Sequence, residues 1–276
     1  MCPQIFHIYG PLSIQGYGLM LGIGVTFLVF LAYRHPVRKQ IVSKDIFFNT
    51  LVISVISGII GGRLLHVLFD LDGFKDNLLE MLYPWVGGFS MIGTILAILI
   101  TVPIYLKRHK VSVVSFLDLA GLYAPVIQIF GRIGCFLGGC CYGISTITQK
   151  WYSVTFTNPN CLAPTNIPLH PSQLYASATS VGILIIMNLV VKLMRKYKLD
   201  NSKIFGSGII ISSYLFLESL SRFILEFWRG DDVFIKTTFA QVITKTFTSY
   251  QLISFGIFVF SAVMLVFAVK RVKKHS

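Results

Sequence analysis

Long apolar runs alternate with short polar connections along this chain. Seven runs are long enough to cross a bilayer as helices, and they cover residues 17–33, 46–69, 84–106, 114–139, 173–193, 204–227 and 253–269. Apolar residues make up 54% of the chain and charged residues only 13%, which is typical of a membrane protein. No polar connection is long enough to bury a core of its own. The pattern predicts an all-α polytopic membrane protein, with residues 1–276 forming one integral membrane domain.

Lysine and arginine are concentrated in every second connection. Sixteen of the 24 basic residues follow the first, third, fifth and seventh runs, whereas the connection after the second run carries Asp70, Asp72, Asp76 and Glu80. The positive-inside rule therefore predicts an outside N-terminus and a cytoplasmic C-terminus. The net charge of +13 is then an orientation signal and a contact with anionic lipid, and we expect no nucleic-acid partner.

The stretch 131–143, GRIGCFLGGCCYG, places an arginine, three cysteines and five glycines at the end of an apolar run. An arginine at bilayer depth costs about 2.5 to 3.5 kcal/mol on insertion scales, so Arg132 is expected to face a polar cavity or an anionic partner. The glycines allow backbone to approach whatever Arg132 holds. The alternative is a small-residue motif for helix packing. The cysteine spacing matches no metal or disulfide pattern, so we predict no metal site.

A second set of charges ends the sixth run. Glu218, Arg222, Glu226 and Arg229 recur at spacings of three and four, which places them on one face of a helix. The alternative is a helix end whose charges simply pair with one another. Arg63, at the outer end of the second run, either snorkels to the interface or joins the site.

The predicted topology places these arginines in the outer half of the membrane. Guanidinium groups match phosphate oxygens bidentately, and the phosphates at that depth belong to lipids. The sequence therefore predicts a phospholipid-handling protein with an outward-facing site. Glu226 is suited either to orienting Arg222 or to proton transfer.

Residues 142–172 form the longest polar connection. We expect a structured extracytoplasmic loop that covers the site, followed by a helix with Ser172 as its N-cap. The glycine pair at the start of the third run, Gly87 and Gly88, is consistent with a broken or re-entrant turn. Asp118, near the cytoplasmic end of the fourth run, is expected to pair locally.

Four segments, YGLM, GRIGCFLGGCCYG, HPSQLY and SRFILEFWR, occur in this order, and together they closely resemble the prolipoprotein diacylglyceryl transferase family over nearly the whole chain. The resemblance implies transfer of the diacylglyceryl group from phosphatidylglycerol to the lipobox cysteine thiol of preprolipoproteins. The product is a thioether, and glycerol phosphate is released. It also implies a bacterial cytoplasmic (inner) membrane enzyme, surrounded by membrane lipid, that needs neither metal nor cofactor.

Carried over by motif, Arg132 is expected to hold the phosphoglycerol head group, and Arg222 to act in donor binding and catalysis with Glu226 as its companion. The further residues implied for phosphatidylglycerol binding are Tyr17, Gly143, His170 and Arg229, with Arg63 as a possible helper.

The chain departs from the family pattern at four polar positions. Ile92 stands where many members have a histidine, Cys135 where Asn is usual, Cys140 where Glu is common, and Ala176 where a Glu often follows QLY. The general base is therefore left open among Glu226, His170 and His66, or is absent if the arginines alone favour the thiolate. Two alternatives remain beside the transferase: a paralogue that binds phospholipid with an altered or lost reaction, and a small-solute transporter.

Overall fold

The computed structural model describes residues 4–9, 12–71, 81, 88–197, 199–230 and 248–274. Most of these residues are α-helical. In chain order the elements are β1 (Gln4–Tyr9), β2 (Leu12–Gln15), α1 (Gly16–Arg34), α2 (Arg38–Ile41), α3 (Lys44–Phe69), α4 (Met91–Arg108), α5 (Val113–Gly138), β3 (Val154–Thr155), β4 (Pro168–Leu169), α6 (Ser172–Lys196), α7 (Asn201–Ile204), α8 (Ile209–Leu225), a 3-10 turn (Glu226–Trp228) and α9 (Ser249–Lys274).

The all-α membrane architecture predicted from the sequence is confirmed. Within the described residues, six helices are long and apolar enough to cross a membrane, namely α1, α3, α4, α5, α6 and α9. The remaining predicted span corresponds to α8, which has 17 residues and continues into the 3-10 turn. The count of seven spans and the orientation of the termini stay predictions.

Two local features differ from the pattern-based expectation. The N-terminal residues form an antiparallel hairpin of β1 and β2, for which the apolar pattern gave no signal. The sixth run was expected to start at residue 204, but α8 begins only at Ile209, because Gly206 and Gly208 adopt positive φ angles of 155° and 82° that interrupt the helix. The predicted turn near Gly87 and Gly88 falls partly outside the described residues, and α4 begins at Met91.

The described residues cluster into two compact units, one within Pro36–Phe116 and the other within Met1–His35 and Leu117–Ser276. The single domain expected over residues 1–276 stays a prediction. In the smaller unit α3 packs on α4 through small residues: Thr94 Oγ1 donates a hydrogen bond to the Gly58 carbonyl at 3.1 Å, and Thr101 Oγ1 donates to Ser57 Oγ at 3.0 Å. Polar bonds of this kind stabilise helix pairs in lipid.

In the larger unit α5 is fastened to α8 by a buried carboxylate. Asp118 is completely buried, and its oxygens accept hydrogen bonds from the backbone N–H groups of Gly206 and Gly208 at 2.9 Å each and of Ile211 at 3.0 Å. Gly206 and Gly208 lie just before α8 and Ile211 lies in its first turn, where the N–H groups have no partner within the helix. The predicted local pairing of Asp118 was therefore wrong, because its partners come from a segment distant in sequence.

Residues 142–172 fold into a small structure of their own. Strands β3 and β4 pair antiparallel, and Phe156, Cys161, Ala163 and Leu169 form a buried core beneath them. Phe136 of α5 packs against this core, so the loop is anchored to the end of α5.

Candidate functional site

The arginine-glycine stretch lies at the end of α5, where it approaches α1 closely. A Cβ added at Gly134 would be 3.1 Å from the Cα of Tyr17, so the absence of a side chain brings the two helices together. Tyr17 interacts electrostatically with Arg132 and Cys135 as a result. The structure thus brings together two of the residues that the sequence predicted for the site, Tyr17 and Arg132.

Helix α5 ends in a tight reversal at Gly139. This residue has φ of 72°, and a Cβ there would lie 2.9 Å from the Cβ of Cys161. The backbone N–H of Cys140 donates to the Cys135 carbonyl at 3.1 Å, which closes the helix end. The reversal returns Cys140 and Cys141 toward Cys135.

The HPSQLY segment holds this reversal from the start of α6. The Ser172 hydroxyl donates to the Cys141 carbonyl at 2.7 Å, and the Gln173 side-chain amide donates to the Cys140 carbonyl at 2.8 Å. Both side chains are buried. Ser172 was predicted to cap α6, and that was wrong: Pro171 occupies the N-cap position and the Ser172 hydroxyl serves the cysteine turn instead.

Gly143 is the point where three motif segments meet. It forms an antiparallel bridge with Arg229, and its N–H donates to the His170 carbonyl at 3.0 Å. The neighbouring Ile144 N–H donates to the Trp228 carbonyl, also at 3.0 Å. A Cβ at Gly143 would collide with His170 and lie 2.8 Å from the Trp228 carbonyl oxygen. The arginine-glycine stretch, HPSQLY and the end of α8 are therefore joined through main-chain contacts that only glycine permits.

Charges from the end of α8 form a buried ionic group. Glu226 lies 3.4 Å from Arg222 and 3.6 Å from Arg229, and its side chain is only 1% exposed. Tyr250, at the start of α9, lies near both cations, with its ring centroid 5.6 Å from Arg222 and 5.4 Å from Arg229. The sequence analysis gave, as an alternative, a helix end whose charges pair with one another, and such pairing is observed. The same pairing holds two guanidinium groups close together.

Arg132 and Arg229 come into electrostatic range of the same thiol. Hydrogen bonds from Cys135 and Cys140 lower the pKa of Cys141, and the cations of Arg229 and Arg132 lower it further, against the opposing effect of burial. Arg132 also interacts with Glu218 of α8. Arg222 is linked to this group through Glu226 and Arg229. The predicted basic residues of the larger unit therefore belong to one connected polar cluster.

Two buried acceptors in this cluster are unpaired within the part of the chain that the structure describes. They are Oε2 of Glu218 and Oε1 of Gln173. Buried polar atoms in folded proteins nearly always have a partner, so such atoms suggest a place for a ligand or water. The sequence reasoning placed neither residue in the site, although Glu218 stood in the charged stripe and Gln173 in the HPSQLY motif.

The backbone of His170 contacts the polar cluster, whereas its side chain lies among aromatic residues. Its carbonyl accepts from Gly143, whereas its ring stacks on Tyr152 with centroids 5.4 Å apart and its Nδ1 lies 3.2 Å from the Tyr175 hydroxyl. The ring lines an aromatic cavity of about 550 Å³, together with Trp151, Tyr152, Tyr175, Ile224, Leu225 and Trp228. This cavity is suited to an apolar group rather than to a phosphate.

Arg63 belongs to the smaller unit and is buried there. Its Nε donates to the Met81 carbonyl at 3.2 Å and one terminal nitrogen donates to the Gly88 carbonyl at 2.9 Å. These bonds fasten the segment before α4 to α3, which gives Arg63 a structural task within its own unit. A substrate contact by Arg63 stays a prediction.

The helices and the polar cluster define a multi-pass membrane protein whose site is built from helix ends and one folded loop. Comparison with known proteins makes this class specific. A sequence model of the family described as prolipoprotein diacylglyceryl transferase matches residues 3–267, and the chain belongs to this family.

Individual relatives carry the same description. The chain is 36% identical over 261 residues to the phosphatidylglycerol–prolipoprotein diacylglyceryl transferase of Clostridium tetani. The matched region covers 95% of this chain and 97% of the relative. It is 30% identical over 262 residues to the corresponding protein of Wolbachia pipientis, with 94% of each chain covered. The resemblance stated from the motifs is thereby confirmed.

Proposed function

We propose that this chain transfers the diacylglyceryl group of phosphatidylglycerol to the lipobox cysteine of a preprolipoprotein. In this reaction the cysteine sulfur forms a bond to the terminal glycerol carbon of the diacylglyceryl group. The bond between that carbon and the phosphate oxygen breaks, the thiol loses its proton, and glycerol phosphate leaves. The observation that carries the proposal is the cluster joined at Gly143, which gathers the cations of Arg132, Arg222 and Arg229 around one helix end.

The arginines are suited to the phosphate at every stage of this reaction. A phosphodiester carries one negative charge, and the departing phosphate monoester gains more as the carbon–oxygen bond breaks. Preorganised cations in a water-poor site stabilise such developing charge strongly. We assign head-group binding to Arg132 and Arg222, with Arg229 and Tyr17 beside them.

Glu226 is better suited to positioning than to proton transfer. Its carboxylate is buried and lies 3.4 Å from Arg222 and 3.6 Å from Arg229, so it is engaged by two guanidinium groups. A carboxylate in this position orients the side chains of Arg222 and Arg229. We therefore assign Glu226 to positioning the two arginines and not to the role of general base.

The charge pattern along the sequence supports an orientation. With the basic connections in the cytoplasm, the ends of α5 and α8 that carry the cluster face the extracytoplasmic side. We therefore place the enzyme in the bacterial cytoplasmic (inner) membrane, with its site open to that side and with phosphatidylglycerol entering from the surrounding lipid.

The test uses the purified full-length chain in vesicles that contain phosphatidylglycerol, with a synthetic peptide carrying a signal segment and lipobox cysteine. Mass spectrometry should find a diacylglyceryl thioether on that cysteine and one glycerol phosphate released per modified peptide. Vesicles of phosphatidylcholine alone are the matched control and should give no product. Absence of product from phosphatidylglycerol, under conditions where the Clostridium tetani relative is active, would contradict the proposal.

A second candidate follows from the three thiols beside the arginines. A paralogue that binds phospholipid but has changed its reaction would retain the phosphate contacts and use these thiols differently. The same vesicles separate the two: phosphatidylglycerol binding without peptide modification would favour the paralogue.

A further inference from the structure

Three cysteine side chains converge at the end of α5. The Sγ atoms of Cys135, Cys140 and Cys141 all lie within 4.8 Å of one another. Cys135 is buried and the other two are half-buried, and all three are free thiols. The spacing along the sequence gave no metal pattern, because the sulfur atoms are brought together by the left-handed reversal at Gly139.

The separation of these sulfur atoms suits one metal ion. A zinc–sulfur bond is about 2.3 Å long, so three sulfur ligands of one ion lie about 4 Å apart. The three thiols therefore need only small side-chain adjustments to share an ion. Three thiolates select a thiophilic cation such as Zn²⁺ over Mg²⁺ or Ca²⁺, which prefer oxygen.

Neighbouring side chains fix the backbone that carries the thiols, as supporting residues do around the ligands of known metal sites. Ser172 and Gln173 fix the carbonyl groups of Cys141 and Cys140 through buried side-chain hydrogen bonds. Cys141 itself has φ of 55°, a conformation that costs a non-glycine residue about 1 to 3 kcal/mol and that persists where neighbouring structure enforces it. Supporting contacts of this kind orient the residues that bind a metal.

The local charge also favours metal binding. Three thiolates around Zn²⁺ carry a net charge of −1, which is costly in a buried place unless cations are near. Arg132 and Arg229 both interact electrostatically with Cys141 and supply that compensation. In the part of the chain that the structure describes, no His, Asp or Glu joins the three thiols as a fourth ligand.

We propose that Cys135, Cys140 and Cys141 bind one Zn²⁺ ion and leave its fourth position open. Zinc sites with three protein ligands and an open position are the catalytic kind. The remaining step rests on the proposed function: the open position takes the thiol of the acceptor cysteine. Coordination releases the thiol proton to solvent, and the bound sulfur attacks the glycerol carbon as the carbon–oxygen bond to phosphate breaks.

This arrangement also accounts for how the acceptor thiol loses its proton. Glu226, the buried carboxylate of the cluster, is engaged with two arginines. A metal that deprotonates the acceptor thiol removes the need for a protein base.

Metal content provides the direct test. The full-length chain, purified in detergent with a histidine-free affinity tag under reducing conditions, is loaded with zinc and freed of excess. About one zinc per chain is expected. The variants Cys135→Ser, Cys140→Ser and Cys141→Ser should each lower zinc affinity at least about tenfold. Cys161→Ala, a cysteine in the core of the loop, is the matched control and should retain the metal.

Two further measurements guard against variants that fail to fold. In the unaltered protein, zinc should protect three thiols from alkylation, as counted by mass spectrometry, and cobalt(II) should give the strong near-ultraviolet absorption of thiolate-to-metal charge transfer. Absence of bound metal, binding of copper(I) in place of zinc, or protection of other thiols would overturn the site.

Activity measurements separate this proposal from the proposed function. Removal of zinc by a chelator should abolish thioether formation, and added zinc should restore it. Full transfer by the zinc-free protein would refute thiol activation while leaving the transferase assignment intact. Zinc bound by the three cysteines in a protein that never forms the thioether would refute the transferase assignment while leaving the site intact.

Discussion

The two ends of α5 hold buried charge in opposite ways. At one end Asp118 accepts hydrogen bonds from three backbone N–H groups at 2.9 to 3.0 Å, two just before α8 and one in its first turn. At the other end Arg132 interacts with Glu218, whose Oε2 has no hydrogen-bond partner among the described residues. Both ends join the same two helices, so the difference lies in how completely the charge is satisfied.

This contrast indicates that one end of the α5–α8 pair stabilises the fold and the other end is suited to binding a ligand. Backbone donors cannot move unless the main chain itself shifts, so the Asp118 contact holds the start of α8 in one position. Side-chain ion pairs at 3.4 to 3.6 Å, such as those of Glu226, can be exchanged for a ligand of the same charge. A substitution at the Asp118 end should therefore affect folding, and one at the Arg132 end should affect activity.

The largest effect is expected from Arg132→Ala. Loss of the guanidinium group should lower transferase activity by about a thousandfold, because it removes charge stabilisation at the phosphate. Activity in vesicles is the measurement, and the apparent melting temperature in detergent should change little. Arg108→Ala, an exposed arginine at the end of α4, is the control and should keep full activity. Equal losses in the two variants would contradict the assignment.

Asp118→Ala should reverse this pattern. Three buried N–H groups would lose their acceptor, at a cost of about 3 kcal/mol or more in the free energy of unfolding. We expect a lower apparent melting temperature and a lower yield of monodisperse protein, with normal activity per folded molecule. Normal stability with low activity would show that Asp118 acts in the site.

Gly143→Ala tests the junction between the motif segments. The new methyl group would meet the carbonyl groups of His170 and Trp228, so the backbone must shift at a cost of about 2 kcal/mol. Both activity and stability should fall. Gly182→Ala in α6, where no atom beyond the neighbouring helix backbone lies within 4 Å of the added Cβ, is the matched control and should leave both unchanged or raise stability slightly.

Glu226→Gln should have the smallest effect. The amide retains hydrogen bonding to Arg222 and Arg229 but loses the charge that positions them, so we expect about a tenfold loss of activity, which corresponds to about 1.4 kcal/mol. A loss of about a thousandfold or more, with a changed pH profile, would instead indicate that Glu226 transfers the proton.

Much of the fold could be predicted from the sequence because lipid imposes a strong pattern. The run at 46–69 is observed as Lys44–Phe69 and the run at 114–139 as Val113–Gly138. Buried charge was equally informative: Arg132, Arg222, Glu226 and Arg229 stand out in apolar surroundings, and the structure connects them.

Other features depend on contacts that the sequence does not display. The partners of Asp118 are backbone N–H groups, which every residue carries, so no residue type signals them. The cysteines converge because Gly139 reverses the chain, and a glycine at that position is equally compatible with a straight helix in a glycine-rich stretch. Serine is a common N-cap residue, but the Ser172 hydroxyl instead donates to the Cys141 carbonyl of the cysteine turn.

The bridge between Gly143 and Arg229 joins two segments that the ribosome makes at different times. The ribosome completes the arginine-glycine stretch long before it reaches the segment that supplies Arg229. Until the segment after α8 has been synthesised, Gly143 lacks its bridge to Arg229 and the polar cluster lacks one of its cations. A polypeptide that ends before residue 229 therefore carries an incomplete cluster.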